Sequence, residues 1–156
     1  MRLLTPVRLE FEARAGRDLA RFLAGIAERR FLGRRCPTCT KVYVPPRGAC
    51  PRCGVAMGEE VTVADTGTVT TFCVVNVPVD RGEEGRKIEL PYVYGSILLD
   101  GADLAFAHLV MAPDVRMGMR VRAVWAEVAA ATMESIVGFA PTGEPDAPPE
   151  VWKGHV

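Results

Sequence analysis

Two short cysteine turns, Cys36-Pro37-Thr38-Cys39 and Cys50-Pro51-Arg52-Cys53, constrain this chain more than any other feature. Ten residues separate the pairs. A CxxC turn lets two sulfurs converge on one ion. Two such turns supply the four sulfurs that tetrahedral Zn²⁺ prefers, each at about 2.3 Å. Pro37 and Pro51 inside the turns, with Gly54 after the second, fit tight knuckles of little side-chain bulk. Two redox-active dithiols, a pair of disulfides or four buried thiols are the competing readings. The paired spacing in a chain without an export signal favours zinc bound by Cys36, Cys39, Cys50 and Cys53. Four sulfurs leave no position for a water, so the expected ion is structural rather than catalytic.

The 156 residues suit one ordinary domain or two small ones in close contact, and an apolar fraction of 49% supplies a real core. Charges interrupt the first eighteen residues, which excludes a secretory leader there. No stretch approaches the roughly 18 uncharged apolar residues of a membrane span. A cytoplasmic protein with no membrane partner is the expectation. The fifth cysteine, Cys73, lies in the apolar run Phe72–Val75 and reads as a small buried hydrophobe.

A net charge of zero conceals a division. Up to Cys53 there are twelve Lys and Arg against four Asp and Glu; beyond it the balance reverses to seven against fifteen. The basic third either meets phosphates or an acidic partner surface, or is attracted to the acidic remainder.

The order of features divides the chain into an N-terminal arm and helix (1–30), a zinc ribbon (31–57), a β-barrel (58–141) and an extended tail (142–156). Val7–Glu12 alternates like a strand. Leu19, Phe22, Leu23 and Ile26 fall at i, i+3, i+4 and i+7, which predicts a helix over about 16–29 with arginines near its negative pole. That apolar stripe either folds back on the later domain or docks on a partner through Phe22, Leu23 and Ile26. In the ribbon, Val42-Tyr43-Val44 is strand-like and Pro45-Pro46-Arg47-Gly48 returns the chain to the second cysteine pair. So short a segment needs the metal to order it. Arg47 and Arg52 flank the cysteines as candidate phosphate or carboxylate contacts, or as solvated surface.

After Gly58, valine, threonine and isoleucine concentrate in short runs between turns such as Asp65-Thr66-Gly67 and Asp100-Gly101-Ala102-Asp103. The predicted strands are 60–64, 67–77, 92–100, 104–111, 121–127 and 133–139. The fold class is thus mainly β: an amphipathic helix, a rubredoxin-like ribbon and an OB-type barrel. Asp80–Lys87 is a charged loop. Trp152, after a proline-rich run, is either an anchor into another surface or packs back on the barrel. Only His108 and His155 offer an imidazole, and a nucleophile–base pair of Cys73 and His108 lacks an orienting group.

These landmarks together resemble the zinc-ribbon/OB-fold family that accompanies thiolase-like and other acyl-CoA enzymes, long catalogued as a domain of unknown function. The resemblance runs from about Gly16 to Pro141 and rests on Arg35-Cys36-Pro37-Thr38-Cys39, Pro45-Pro46-Arg47 and Cys50-Pro51-Arg52-Cys53-Gly54. Gly67-Thr68-Val69, Pro91-Tyr92, Leu99-Asp100-Gly101, Gly118-Met119-Arg120-Val121 and Phe139-Ala140-Pro141 carry it through the barrel. It implies an accessory subunit, non-catalytic alone, in a hetero-oligomer with a thiolase-fold or lipid-transfer-protein-like aldolase. In the most similar setting that enzyme releases propionyl-CoA from a steroid side-chain CoA thioester, with acyl-CoA at or near the interface. Arg47 and Arg52 are then candidates for the CoA phosphates. The alternative is a single-stranded nucleic-acid module, since ribbons and OB barrels both bind strands, but the barrel segment is acidic and would repel phosphates.

Overall fold

The computed structural model describes residues 14–77 and 88–155. The strand-like arm at Val7–Glu12 and the charged loop Asp80–Lys87 lie outside the described residues. Helix α1 spans Arg17–Ala27. It ends in a Schellman-type cap, in which the Arg30 N–H donates to Gly25 O and the Arg29 N–H to Ile26 O, both at 2.9 Å. Arg29 takes the left-handed conformation that closes such a cap, at φ 57°. Its guanidinium reaches the carbonyls of Ala126 and Glu127 at 3.2 and 2.8 Å, so it ties the helix end to the barrel instead of serving the helix dipole.

Three strands follow: β1 at Phe31–Arg35, β2 at Val42–Tyr43 and β3 at Glu60–Val63. They form one antiparallel sheet in the order β2-β1-β3. The run at 60–64, predicted as the first barrel strand, therefore pairs with β1, from Phe31↔Val63 to Arg34↔Glu60. Strands β4 (Thr66–Val75), β5 (Tyr92–Leu99), β6 (Phe106–Val110), β7 (Arg120–Trp125) and β8 (Ile136–Pro141) close a barrel in the order β4-β5-β6-β8-β7. Its one parallel contact joins β6 to β8 and the rest is antiparallel, the connectivity of an OB barrel. Met133–Ser135, predicted as strand, forms a 3₁₀ turn leading into β8.

The helix stripe, except for the exposed Leu19, belongs to this chain's own core. Phe22 and Ile26 are fully buried with Phe31, Ile97, Leu99, Phe106, Ile136 and Phe139, and Leu23 packs beside them. Phe31 is the hub, with ring centroids 5.6 Å from Phe106, 6.1 Å from Phe139 and 5.1 Å from Trp125. Aromatic rings at these separations add attraction beyond their buried area. The helix and β1 thus plug the barrel, and Phe22 and Ile26 are withdrawn from the partner or CoA contact considered above.

The charge asymmetry resolves in the same direction. Arg21 pairs with Glu60 at 2.9 Å, Arg35 with Glu59 at 3.0 Å and Lys41 with Asp103 at 2.8 Å. Three of the twelve basic residues up to Cys53 are thus spent on acids of the following segment.

Candidate metal centre

Each cysteine pair sits at a reversal of the ribbon backbone. In the first, the Thr40 N–H donates to Cys36 O at 3.0 Å; in the second, the Gly54 N–H donates to Cys50 O at 2.8 Å. Each turn closes on a left-handed residue, Thr40 at φ 61° and Gly54 at φ 70°. Glycine accepts that conformation freely; a β-branched threonine does not. The Thr40 hydroxyl donates to Cys39 O at 2.7 Å, a local bond that offsets part of the strain.

The two turns bring the sulfurs of Cys36, Cys39, Cys50 and Cys53 within 4.8 Å of one another. Cys39 Sγ and Cys50 Sγ stand 3.7 Å apart. A tetrahedron with metal–sulfur bonds of 2.3 Å has edges of about 3.8 Å, so the cage has the size a zinc ion requires. All four thiols are free, which sets aside disulfides. Two of the crowded thiols shift in opposite directions. Burial pushes the Cys50 thiol up, but the backbone N–H groups of Cys53 and Arg52 and the thiols of Cys36 and Cys39 outweigh it and bring it to about 6. The hydrogen bond toward Cys39, and then burial, push Cys53 up to about 12. Four adjacent thiolates need a dication, and a tetrathiolate zinc supplies it with no position left open for substrate.

The site is fastened to the barrel through Asp103, in the β5–β6 connection. Its carboxylate accepts from the Lys41 ammonium and the Val42 N–H, each at 2.8 Å, and its own N–H donates to Val42 O at 2.8 Å. Partial burial pushes the Asp103 carboxyl up, yet Lys41 and the Val42 N–H prevail and hold it below the ordinary range. Leu104 packs against the cluster of Cys36, Tyr43, Cys50 and Met57. A second cluster closes the barrel. The Arg120 guanidinium donates to both Asp100 oxygens at 2.8 and 2.6 Å and to the Thr68 hydroxyl at 2.9 Å. That guanidinium lowers the Asp100 carboxyl against the opposing effect of partial burial, with help from Thr66. Sequence reasoning singled out Leu99-Asp100-Gly101 and Gly118–Val121 as landmarks without a role; the ion pair between them is the role.

Residues 23–57 match the family model described as the ChsH2 rubredoxin-like zinc ribbon domain, and residues 60–126 the one described as the ChsH2 C-terminal OB-fold domain. This chain belongs to the ChsH2-type zinc-ribbon/OB-fold family. The four cysteines are that family's structural zinc site. A similar solved structure is described as the Ltp2-ChsH2(DUF35) aldolase. The match has 27% identity, covers 83% of this chain and 98% of that one, and has a TM-score of 0.61. A DUF35-family protein of unknown function from Sulfolobus solfataricus shares the fold at 17% identity, covering 81% of this chain and 84% of its own, with a TM-score of 0.58.

The other predicted site residues are dispersed. Arg47 and Arg52 are exposed at the ribbon tip and form no ion pair among the described residues. Trp152 ends a short helix, α2 (Pro149–Trp152), where an extended tail was expected. Its indole N–H donates to Ala147 O at 3.2 Å, and a Cβ on Gly118 would stand 3.1 Å from that nitrogen. Trp152 thus seats the tail on this chain's own barrel. Cys73, expected to be buried, is exposed. The pairings Cys73↔Tyr94, Tyr94↔Leu109 and Gly95↔His108 put Cys73 and His108 on opposite faces of the sheet, so they do not form a nucleophile–base pair.

Proposed function

We propose that this chain is the non-catalytic subunit of a two-component aldolase, one that releases propionyl-CoA from a steroid side-chain CoA thioester. One observation carries the aldolase-subunit reading. A relative solved as part of an aldolase aligns over 98% of its length and 83% of this chain at 27% identity. The motif resemblance supports the steroid thioester. A retro-aldol cleavage breaks the Cα–Cβ bond of a β-hydroxyacyl thioester and needs a base and an enolate-stabilising site. Neither cysteine–histidine chemistry nor a metal with an open position is assembled among the described residues of this chain. Those groups belong to the other subunit.

In this reading zinc fixes the ribbon, Asp103 and Lys41 fix the ribbon to the barrel, and the rigid pair presents a surface to the aldolase subunit. Arg47 and Arg52, free at the tip, are available to CoA phosphates. A nucleic-acid module is disfavoured because Tyr92–Leu99 and Phe106–Val110, on the OB face that usually takes strands, contain no lysine or arginine.

Mixing the purified chain with an Ltp2-type aldolase subunit from the same genome tests the proposal. Propionyl-CoA release from a β-hydroxy steroid side-chain thioester is expected from the pair only. Release by this chain alone, or by the other subunit at the same rate without it, sinks the reading. Arg47→Ala with Arg52→Ala should raise the KM of the pair by about tenfold; unchanged constants remove both from the CoA site.

A further inference from the structure

We infer that the projecting half of the β4–β5 hairpin is the surface on which the aldolase subunit docks, an inference that rests on the reading above. Strand β4 changes character at Thr70. Its ladder with β5 skips a residue between Val69 and Thr71, and a bulge of this kind bends and twists its strand. Gly67–Thr70 are buried, whereas Thr71–Val74 are exposed. β7 pairs with β4 only from Thr66 to Thr68, while the β4–β5 ladder continues to Val75↔Tyr92. Beyond Val69 the outer edge of β4 has no strand beside it among the described residues, while β6 flanks β5 as far as Val93↔Val110.

A strand end without a neighbour is ordinarily kept polar or charged. Here Thr71–Val75, Tyr92–Leu99 and Phe106–Val110 contain no Asp, Glu, Lys or Arg. Twelve large apolar side chains are substantially exposed among the described residues, and six of them gather here: Phe72, Val74, Val77, Leu90, Tyr94 and Met111. Register puts Phe72 and Val74 on one face and Tyr94 on the other, so both faces are apolar. Beside the far end of the ladder lies a groove of about 660 Å³, lined by Val74, Glu89, Leu109, Met111 and Val137 among others.

The occupant follows from two facts. The aldolase-associated relative is matched over 98% of its length, so the surface that holds its aldolase subunit lies within the fold shared with this chain. Within that fold the other candidates are spent or unsuitable. Phe22 and Ile26 are fully buried, and the ribbon tip presents the solvated Arg47 and Arg52. Strand segments free of charge and apolar on both faces, with an adjoining groove, suit a protein face better than a phosphate.

The test compares Val74→Asp with Val128→Asp, a control at a residue 85% exposed in the β7–β8 loop. Affinity for the purified Ltp2-type aldolase subunit from the same genome is measured by calorimetry, and each variant's melting temperature is checked against wild type. Val74→Asp should weaken binding about 100-fold with an unchanged melting temperature, and Val128→Asp by less than about threefold. If wild type fails to bind, the aldolase-subunit reading falls and this inference with it. If wild type binds and Val74→Asp binds equally well, or Val128→Asp weakens binding as much, only the docking surface is overturned. A wild-type chain that sediments alone as a dimer, and as a monomer once Val74→Asp is introduced, would assign the hairpin to self-association and overturn it too.

Discussion

Besides the cysteines, the buried cluster around the metal site holds only Tyr43 and Met57 among the described residues, whereas the barrel shares with α1 and β1 a core that includes Phe22, Phe31, Ile97, Leu99, Phe106, Ile136 and Phe139. The outer ribbon has too little apolar area to offset the entropy of ordering its two loops. The barrel has enough and needs no metal. The two regions are nevertheless not independent. Val42, Val44 and Phe31 of the ribbon sheet lie in the larger core, and Asp103 reaches from the barrel to β2. The zinc therefore organises the half of the ribbon that points away from the barrel, and the hydrophobic core holds the half that touches it.

That division can be broken from either side. Zinc removal, or Cys36→Ser, should have the largest effect, because structural zinc contributes on the order of 10 kcal/mol to such segments. Amides of Cys36–Lys41 and Arg47–Met57 should lose hydrogen-exchange protection while β5 and β6 keep theirs; equal loss in both would erase the distinction. Phe31→Ala attacks the shared hub and should cost about 3–5 kcal/mol in denaturant melts with zinc saturating. Its damage should reach both regions, and a loss confined to one would displace Phe31 from the centre.

Asp100→Asn weakens only the barrel seam. About 1–2 kcal/mol is expected after discounting for the screening that solvent gives a carboxylate this exposed. The sign with pH follows from Arg120, which lowers the Asp100 carboxyl in the fold. Its contribution is present above the unfolded carboxylate range near ~4 and is lost as pH falls through the lower folded value. Asp100→Asn should therefore flatten the acid limb of a stability–pH curve and leave the neutral limb merely offset; an unaltered acid limb would contradict this. The smallest effect concerns the two knuckles themselves. Thr40→Gly, which gives the first turn the residue type of the second, should stabilise the metal-loaded ribbon by about 1 kcal/mol. Destabilisation would mean that the Thr40 hydroxyl bond to Cys39 O outweighs the strain.

Much of this was legible in the sequence because it depends on local spacing. Four sulfurs at CxxC spacing, an apolar stripe at helical period and β-branched runs between turns identify the metal site, α1 and the barrel without long-range information. What escaped depends on register. The residues of β1 (Phe31–Arg35) show no clean alternation, and β3 looks like any barrel strand until its partner is known. Cys73 sits in an apolar run that reads as core, but β4 outruns β7, so the run emerges from the barrel. The stripe of α1 was ambiguous between partner and core because nothing local says that Phe106 and Phe139 await it. Arg29 was misread for the same reason, since the carbonyls that hold it lie in another segment, and Trp152 was ambiguous because nothing local says that it packs beside Gly118.

The central claim is that a zinc-organised ribbon and barrel serve an aldolase they do not replace. Propionyl-CoA release measured for this chain, for the Ltp2-type subunit and for their mixture, before and after zinc is stripped from this chain, tests it most directly. The mixture alone should be active, and stripping should lower activity in proportion to the complex lost, with turnover per remaining complex unchanged. Full complex with lost turnover would make the metal centre part of the chemistry, and activity in this chain alone would make it an enzyme in its own right; either contradicts the claim.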